Sequence, residues 1–349
     1  MTTNIEAANL LAETMRQQLE TANTAPTTVE ILETTSTGCD TVCQSTDEAG
    51  RDAIGAMAEL STGHRNTVEA LACISTIPDV ITRLEAAEGT PDADAELVNS
   101  AIESVDKARA FLATAKETLE KTPASVAAVV NSATSVNVAV CSVTSSAETA
   151  EQSTKHVSGL ADQVSVGLAC VVDVDPEPPV LAGVRERVAV EANQLSDAAD
   201  SATDAKAALT NTPEGAQANL ESMKNVAIAV GKLSLQECAL LMADLNEMRH
   251  GFGRLTEFRN RPMLLGNQRY ICDNVEKRVK ALRDATIAQV GELSNAGIDM
   301  MQIGTDAWIA RGHILAAAEA VQEFVTAAPG TAENLSALQQ QIAATANRA

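Results

Sequence analysis

Residues 293–328 read LSNAGIDMMQIGTDAWIARGHILAAAEAVQEFVTAA, and their apolar side chains recur at alternating steps of three and four. An α-helix has about 3.6 residues per turn, so this spacing places the apolar side chains on one face. The core-facing positions are Leu293, Ala296, Met300, Ile303, Ala307, Ala310, Ile314, Ala317, Val321, Phe324 and Ala328. The pattern predicts a long helix that packs against other helices along one narrow apolar face.

Three further stretches of the sequence have the same spacing. Their core-facing positions are Ile5, Ala8, Ala12, Met15 and Leu19; then Val98, Ala101, Val105, Ala108, Leu112, Ala115 and Leu119; then Val126, Val129, Ala133, Val136, Val140, Val143, Ala147, Ala150, Val157, Ala161, Val164, Leu168 and Val171, with Thr154 as the one interruption. A helix of about 45 residues would be roughly 70 Å long. The sequence therefore predicts an all-α fold, an elongated antiparallel bundle of long helices with small residues along heptad-type contacts.

Residues 135–144 (SVNVAVCSVT) carry a competing signal. Val136, Val138 and Val140 alternate with polar residues, as in a half-buried β-strand. The alternation is short, whereas the helical spacing continues on both sides of it. We therefore expect a helix here.

Prolines and glycines predict where the helices begin and end. Thr90-Pro91, Thr122-Pro123 and Thr212-Pro213 resemble helix starts, because threonine caps free backbone N–H groups and proline is favoured in the first turn. Further breaks are expected near Thr62-Gly63 and at Ala328 to Thr331. The first two Thr-Pro pairs are 32 residues apart, which hints at repeated helical hairpins.

The strongest linker signal is the proline-rich stretch 173–179 (DVDPEPP), because three prolines cannot continue a helix. It divides the chain into a predicted N-terminal helical bundle, residues 1–172, and a C-terminal bundle, residues 180–349. The C-terminal bundle contains the only markedly basic segment, residues 249–283.

Composition and charge narrow the classes of partner. Of the 349 residues, 45% are hydrophobic but only 2% aromatic, which favours thin, repetitive helical cores over a compact enzyme core. The net charge of −22 opposes binding to nucleic acid and to anionic membranes. We therefore expect neither nucleic acid nor a membrane as the partner.

Targeting signals and cysteines bear on the compartment. The first residues lack a basic start and an apolar core, and no uninterrupted apolar run approaches the 18 or so residues of a membrane span. The seven cysteines are odd in number and lie in helical segments, which is typical of free thiols in a reducing compartment. The expected location is cytoplasmic.

Catalytic and metal-binding motifs are weak in this sequence. Cys39 and Cys43 share a helix face but lie among acidic residues, which favours packing over metal binding or redox chemistry. Glu247 and His250 have the Glu-x-x-His spacing of di-iron bundles, but the sequence offers no second pair. We expect no enzyme activity, no cofactor, no metal and no small-molecule ligand.

The segment 249–283 combines nine basic residues with half of the aromatic residues of the chain. Its candidate interface residues are Arg249, Phe252, Arg254, Phe258, Arg259, Arg261, Arg269 and Tyr270. Arginine and aromatic side chains dominate contact sites between proteins, and the rest of the chain offers acidic surface to a second copy. Ion pairing within the chain explains the same residues equally well, and an anionic ligand is a third alternative.

These patterns together favour a structural or scaffolding protein that assembles with copies of itself into a filament, sheath or ordered array. The first alternative is a membrane-active helical protein whose apolar hairpin, residues 126–143 or 226–243, is hidden in the soluble form. The second alternative is a cytoplasmic signalling coiled coil.

Overall fold

A computed structural model describes residues 4–86, 91–171, 178–233, 237–255 and 261–346. Within these ranges the chain is helical and contains no β-strand. The helices are α1 (Asn4–Ser75), α2 (Ile77–Ala86), α3 (Pro91–Ala169), α4 (Leu181–Leu209), α5 (Thr212–Leu233), α6 (Glu237–Gly253) and α7 (Arg261–Ala346). The all-α prediction is confirmed, with long helices that pack against each other.

The predicted core-facing positions of α3 and α7 are confirmed. Every residue predicted to face the core in 98–119, 126–171 and 293–328 is buried, and Thr154 is buried in the same register. The hydroxyl of Thr154 donates a hydrogen bond to the carbonyl of Ala150 at 2.9 Å, so a polar residue is tolerated in the apolar row. Residues 135–144 lie inside α3, which excludes the strand.

The predicted register of the first helix is wrong. Leu19 is 58% exposed, whereas the buried positions have heptad spacing in a row that lies one residue earlier in the chain than the predicted one. Those positions are Ala7, Leu11, Thr14, Gln18, Thr21, Ala25, Thr28, Leu32 and Thr35. Four of them are threonines seven residues apart, and each hydroxyl donates to the carbonyl four residues earlier. Because the helix itself satisfies the hydroxyl, threonine can occupy a core position that the apolar pattern alone does not predict.

Several predicted helix ends are also wrong. α1 continues through Gly63, α3 through Pro123 and α7 through Pro329. A Cβ atom on Gly63 would lie 3.1 Å from Cδ2 of Leu119, so this glycine permits close helix packing. The starts at Pro91 and Thr212 are confirmed.

The fold divides into two compact units. Unit 1 comprises Met1–Thr46, Val136–Ala216 and Gln302–Ala349, and unit 2 comprises Asp47–Ser135 and Gln217–Met301. Each unit contains segments from both predicted halves of the chain. The predicted linker 173–179 lies mostly in residues 172–177, outside the described residues, so that division stays a prediction.

Unit 1 is built from antiparallel helix pairs. Gln17 donates to Gln163 at 3.2 Å and Thr28 contacts Ser153 at 2.8 Å, so α1 and α3 run in opposite directions. One apolar cluster joins four helices: Ala7 and Leu11 from α1, Val164, Leu168 and Val171 at the end of α3, Leu181, Val184 and Val188 from α4, and Leu335, Leu338 and Ile342 from α7.

In unit 2, other parts of α1 and α3 form the same kind of antiparallel pair. The Ser132 hydroxyl donates to Asp52 at 2.6 Å and the Ser125 hydroxyl to Glu59 at 2.9 Å, so α1 and α3 are again antiparallel. Asn219 of α5 is buried and donates to the carbonyl of Ala296 in α7 at 2.9 Å.

Candidate functional site

Arg249 in α6 binds α3 of the same chain. Its Nε lies 2.9 Å from Oδ1 and 3.1 Å from Oδ2 of Asp106. Both side chains are nearly half exposed, so water screens this pair. Arg249 therefore contributes a modest link between two helices of unit 2.

Arg261 at the start of α7 makes polar contacts with two other helices. Its two terminal nitrogens donate to the two carboxylate oxygens of Asp94 at 2.5 and 2.8 Å. One of them also donates to the carbonyl of Leu84 at 2.9 Å. The hydrogen bonds from Arg261 hold the pKa of the Asp94 carboxyl below its usual value. This side chain thus joins α7, α3 and α2.

Arg269 and Arg278 extend the same network along α7. Arg269 pairs with Glu85 in α2 at 2.6 Å. Arg278 pairs with Glu237 at 3.0 Å and with Asp244 at 2.5 Å, both in α6. The basic segment therefore uses its charges to connect helices within unit 2.

Two of the three aromatic residues of the segment lie in the described part of the chain, and one of them is buried and the other exposed. Phe252 is fully buried and is a core residue of unit 2, whereas Tyr270 is 72% exposed. Arg254 is exposed just after the end of α6. Phe258 and Arg259 lie in residues 256–260, outside the described residues.

The structure thus gives different roles to the predicted interface residues. Ion pairs within the chain are made by Arg249, Arg261 and Arg269, as the intrachain alternative predicts. Phe252 packs inside unit 2. Contact with a second molecule stays a prediction for this segment, in which Arg249, Arg254 and Tyr270 are exposed.

The cysteines and the Glu-x-x-His pair occupy ordinary helical surroundings. Burial raises the pKa of the Cys39 thiol to about 12, and Cys43 donates to the carbonyl of Gly304 at 3.5 Å. Nδ1 of His250 lies 2.7 Å from the carbonyl of Asn246, one turn earlier in α6. Among the described residues, no three His, Cys, Asp or Glu side chains are grouped as metal ligands would be.

A buried carboxylate lies in the core of unit 1. Glu191 in α4 is only 3% exposed and accepts hydrogen bonds from Gln18 at 3.2 Å and from Thr331. Loss of hydration on burial raises the pKa of Glu191, while the two hydrogen bonds and nearby Arg187 oppose that shift. This polar layer connects α1, α4 and α7.

An open groove in unit 2 runs between α5 and α7. Its polar walls include Glu221, Ser222 and Glu292. Gln217 donates to Glu221 at 3.4 Å and Ser222 to Glu292 at 3.5 Å. Both carboxylates therefore already have partners within the chain.

The outer face of α7 is a surface that the sequence reasoning missed. Sixteen large apolar side chains are exposed in the described part of the chain, and α7 carries half of them. They are Met263, Tyr270, Ile287, Ile298, Met301, Trp308, Ile309 and Leu315. The signal was readable in 293–328: once the core-facing row is assigned, the remaining apolar residues must face outward.

Two stretches have the length and mean hydropathy of a membrane-spanning segment. They are 18-residue windows, one within Asp94–Ala169 with a mean hydropathy of 1.6 and one within Leu181–Gly253 with 1.5. The range Leu181–Gly253 includes residues 234–236, outside the described ranges. The apolar windows are 39% and 27% buried. Core helices of soluble proteins meet the same criterion, so this finding is weak evidence for a membrane.

Comparison with known proteins adds no relative. No protein-family model matches this chain, and no curated protein matches it.

Proposed function

We propose that this chain is a non-enzymatic structural protein, a coiled-coil scaffold that assembles with copies of itself. The observation that carries the proposal is the heptad spacing of buried residues, which runs through α1 and α3 and, apart from Gln289, through α7. Small aliphatic and threonine side chains fill these rows, and such rows bring helix backbones close together.

Self-assembly is supported by the apolar residues exposed on α7. Trp308, Ile309 and Leu315 are exposed within about two turns of α7, and clustered exposed apolar side chains commonly mark a contact with another protein. When two unlike surfaces of the chain bind head to tail, the assembly need not close into a ring. Filaments, sheaths or arrays are then the expected assemblies. The free cysteines are compatible with a reducing, cytoplasmic location.

Negative-stain electron microscopy of the purified full-length chain tests this proposal. We expect filaments or ordered arrays that grow with protein concentration. Separate particles of monomer size at every concentration, with helical circular dichroism intact, would contradict it.

A membrane-active protein is the second candidate, favoured by the hydropathy of the 18-residue window within Asp94–Ala169. It predicts release of a trapped dye from liposomes on addition of the folded protein. A scaffold is expected to release none under the same conditions.

A further inference from the structure

The outer face of α7 in unit 1 is uncharged over four turns. The solvent-facing positions between 302 and 318 are Gln302, Thr305, Trp308, Ile309, Gly312, Leu315 and Ala316. Trp308 is the only tryptophan of the chain and is 67% exposed, with Ile309 and Leu315 exposed by 41% and 44%. Tryptophan is among the residues that contribute most to protein contacts, so its exposure on an uncharged face indicates a docking surface.

The charged residues that border this face are engaged by neighbours within unit 1. Arg311 pairs with Asp40 of α1 at 2.7 Å. Asp306 accepts a hydrogen bond from Gln302 at 2.8 Å. The border is therefore polar, and the centre of the face is apolar, as in a contact site with a hydrophobic core and a polar rim.

The face is complementary to itself in an antiparallel arrangement. When a second copy is turned about an axis through Gly312, Trp308 lies opposite Ala316, and Ile309 lies opposite Leu315. The largest side chain thus meets a small one. Gly312 lies opposite its own copy, and the missing Cβ lets the two helices approach closely.

The positions of the charged residues along this face also permit binding of a second copy, although the chain has a net charge of −22. The next exposed carboxylate along the face is Glu319, and the same rotation places it opposite Thr305. No carboxylate of this face then lies directly opposite another carboxylate, so the contact does not bring like charges face to face.

We infer that residues 305–316 of α7 bind the same residues of a second copy around a two-fold axis at Gly312. This inference rests on the proposed self-assembly and names one of its contacts. A face on one helix buries less than the roughly 800 Å² per partner of a stable complex. We therefore expect a weak dimer that depends on concentration and is reinforced by other contacts in an array.

The fluorescence of Trp308 tests the contact directly, because no other tryptophan contributes. Across a dilution series of the full chain, we expect its emission to move to shorter wavelength as concentration rises. Leu315→Gln should abolish this shift. Leu19→Gln is the matched control, since Leu19 is an exposed leucine of unit 1 on α1, 58% exposed against 44% for Leu315, and its replacement should leave the shift unchanged.

The variant Gly312→Leu distinguishes the antiparallel contact from non-specific association of apolar surfaces. A Cβ on Gly312 would meet nothing within 4 Å, so the monomer should fold normally, as circular dichroism can verify. Because the two helices approach closely at the two-fold axis, a leucine there should hold them apart. We expect this variant to associate at least tenfold more weakly than the wild-type chain. Stronger association would overturn the inference, because it would show that added apolar area alone is sufficient to promote association.

The inference and the proposed function can fail separately. If filaments or arrays form while the emission of Trp308 stays constant, this contact is wrong and self-assembly stands. If the chain stays monomeric at every concentration, both are wrong.

Discussion

Glycines inside the helices differ in what surrounds them, and α3 offers a matched pair. A Cβ on Gly167 would lie 2.4 Å from the hydroxyl oxygen of Thr14 in α1, whereas a Cβ on Gly159 would meet nothing within 4 Å. Gly167→Ala should lower the free energy of unfolding by about 1–3 kcal/mol, because a packed helix contact must open. Gly159→Ala should raise it by about 0.5–1 kcal/mol, because alanine favours the helix.

Urea denaturation of the two variants measures both changes. Equal effects would mean that α1 and α3 do not approach each other closely at Thr14 and Gly167. Sequence alone shows two helical glycines here and cannot distinguish them, since the difference lies in the facing helix.

Glu191 predicts a particular dependence of stability on pH. Burial raises its pKa above the usual 4.5, so the folded chain keeps this proton at a higher pH than the unfolded chain does. Between 4.5 and the raised value the folded state binds more protons, and stability falls as pH rises through that window. Glu191→Gln cannot ionise, so its stability should fall less over the same window.

Urea denaturation of the wild-type chain and Glu191→Gln, from pH 4.5 to pH 7, measures this difference. Parallel pH profiles would show that Glu191 ionises as freely in the folded chain as in the unfolded one. Its burial could not be predicted from the sequence, because Gln18 and Thr331, its hydrogen-bond partners, are distant in the chain.

At the scale of whole helices, Arg261 fixes the start of α7 to α3 through an ion pair with Asp94 and to α2 through a hydrogen bond to the carbonyl of Leu84. Arg261→Met should lower the free energy of unfolding by about 1–2 kcal/mol, since Asp94 loses a charged double hydrogen bond in a partly exposed site. Lys121→Met removes an exposed pair with Glu117 and should cost less than about 0.5 kcal/mol. Thermal denaturation of both variants gives the comparison. Equal destabilisation would contradict a special role for Arg261.

Helix ends were predicted less well than helix cores. Thr122-Pro123 looks like a helix start, yet α3 passes through it and the Thr122 hydroxyl donates to the carbonyl of Thr118 at 3.0 Å. Packing of buried residues on both sides of Pro123 maintains the helix despite the lost backbone hydrogen bond.

This account of Pro123 predicts that Pro123→Ala raises the free energy of unfolding, by about 1–3 kcal/mol. Alanine restores the backbone hydrogen bond and has the highest helix propensity. Urea denaturation measures the change. A loss of stability would instead show that the proline ring makes contacts that α3 needs.

For the molecule as a whole, the sequence predicted the all-α class because heptad spacing persists in 98–171 and 293–328. It failed for α1, where threonines occupy core positions that an apolar pattern overlooks. It left intrachain ion pairing and contact with a second copy equally open for the basic segment, since the acidic partners of Arg249, Arg261 and Arg269 lie far away in sequence. The exposed face around Trp308 followed from the same heptads, once outward positions were considered as well as inward ones.

We propose that this chain associates with itself. Sedimentation equilibrium over a wide range of concentrations tests it most directly. We predict that the weight-average mass rises steadily above the 36.4 kDa of one chain. A mass that stays at 36.4 kDa at every concentration would contradict the claim.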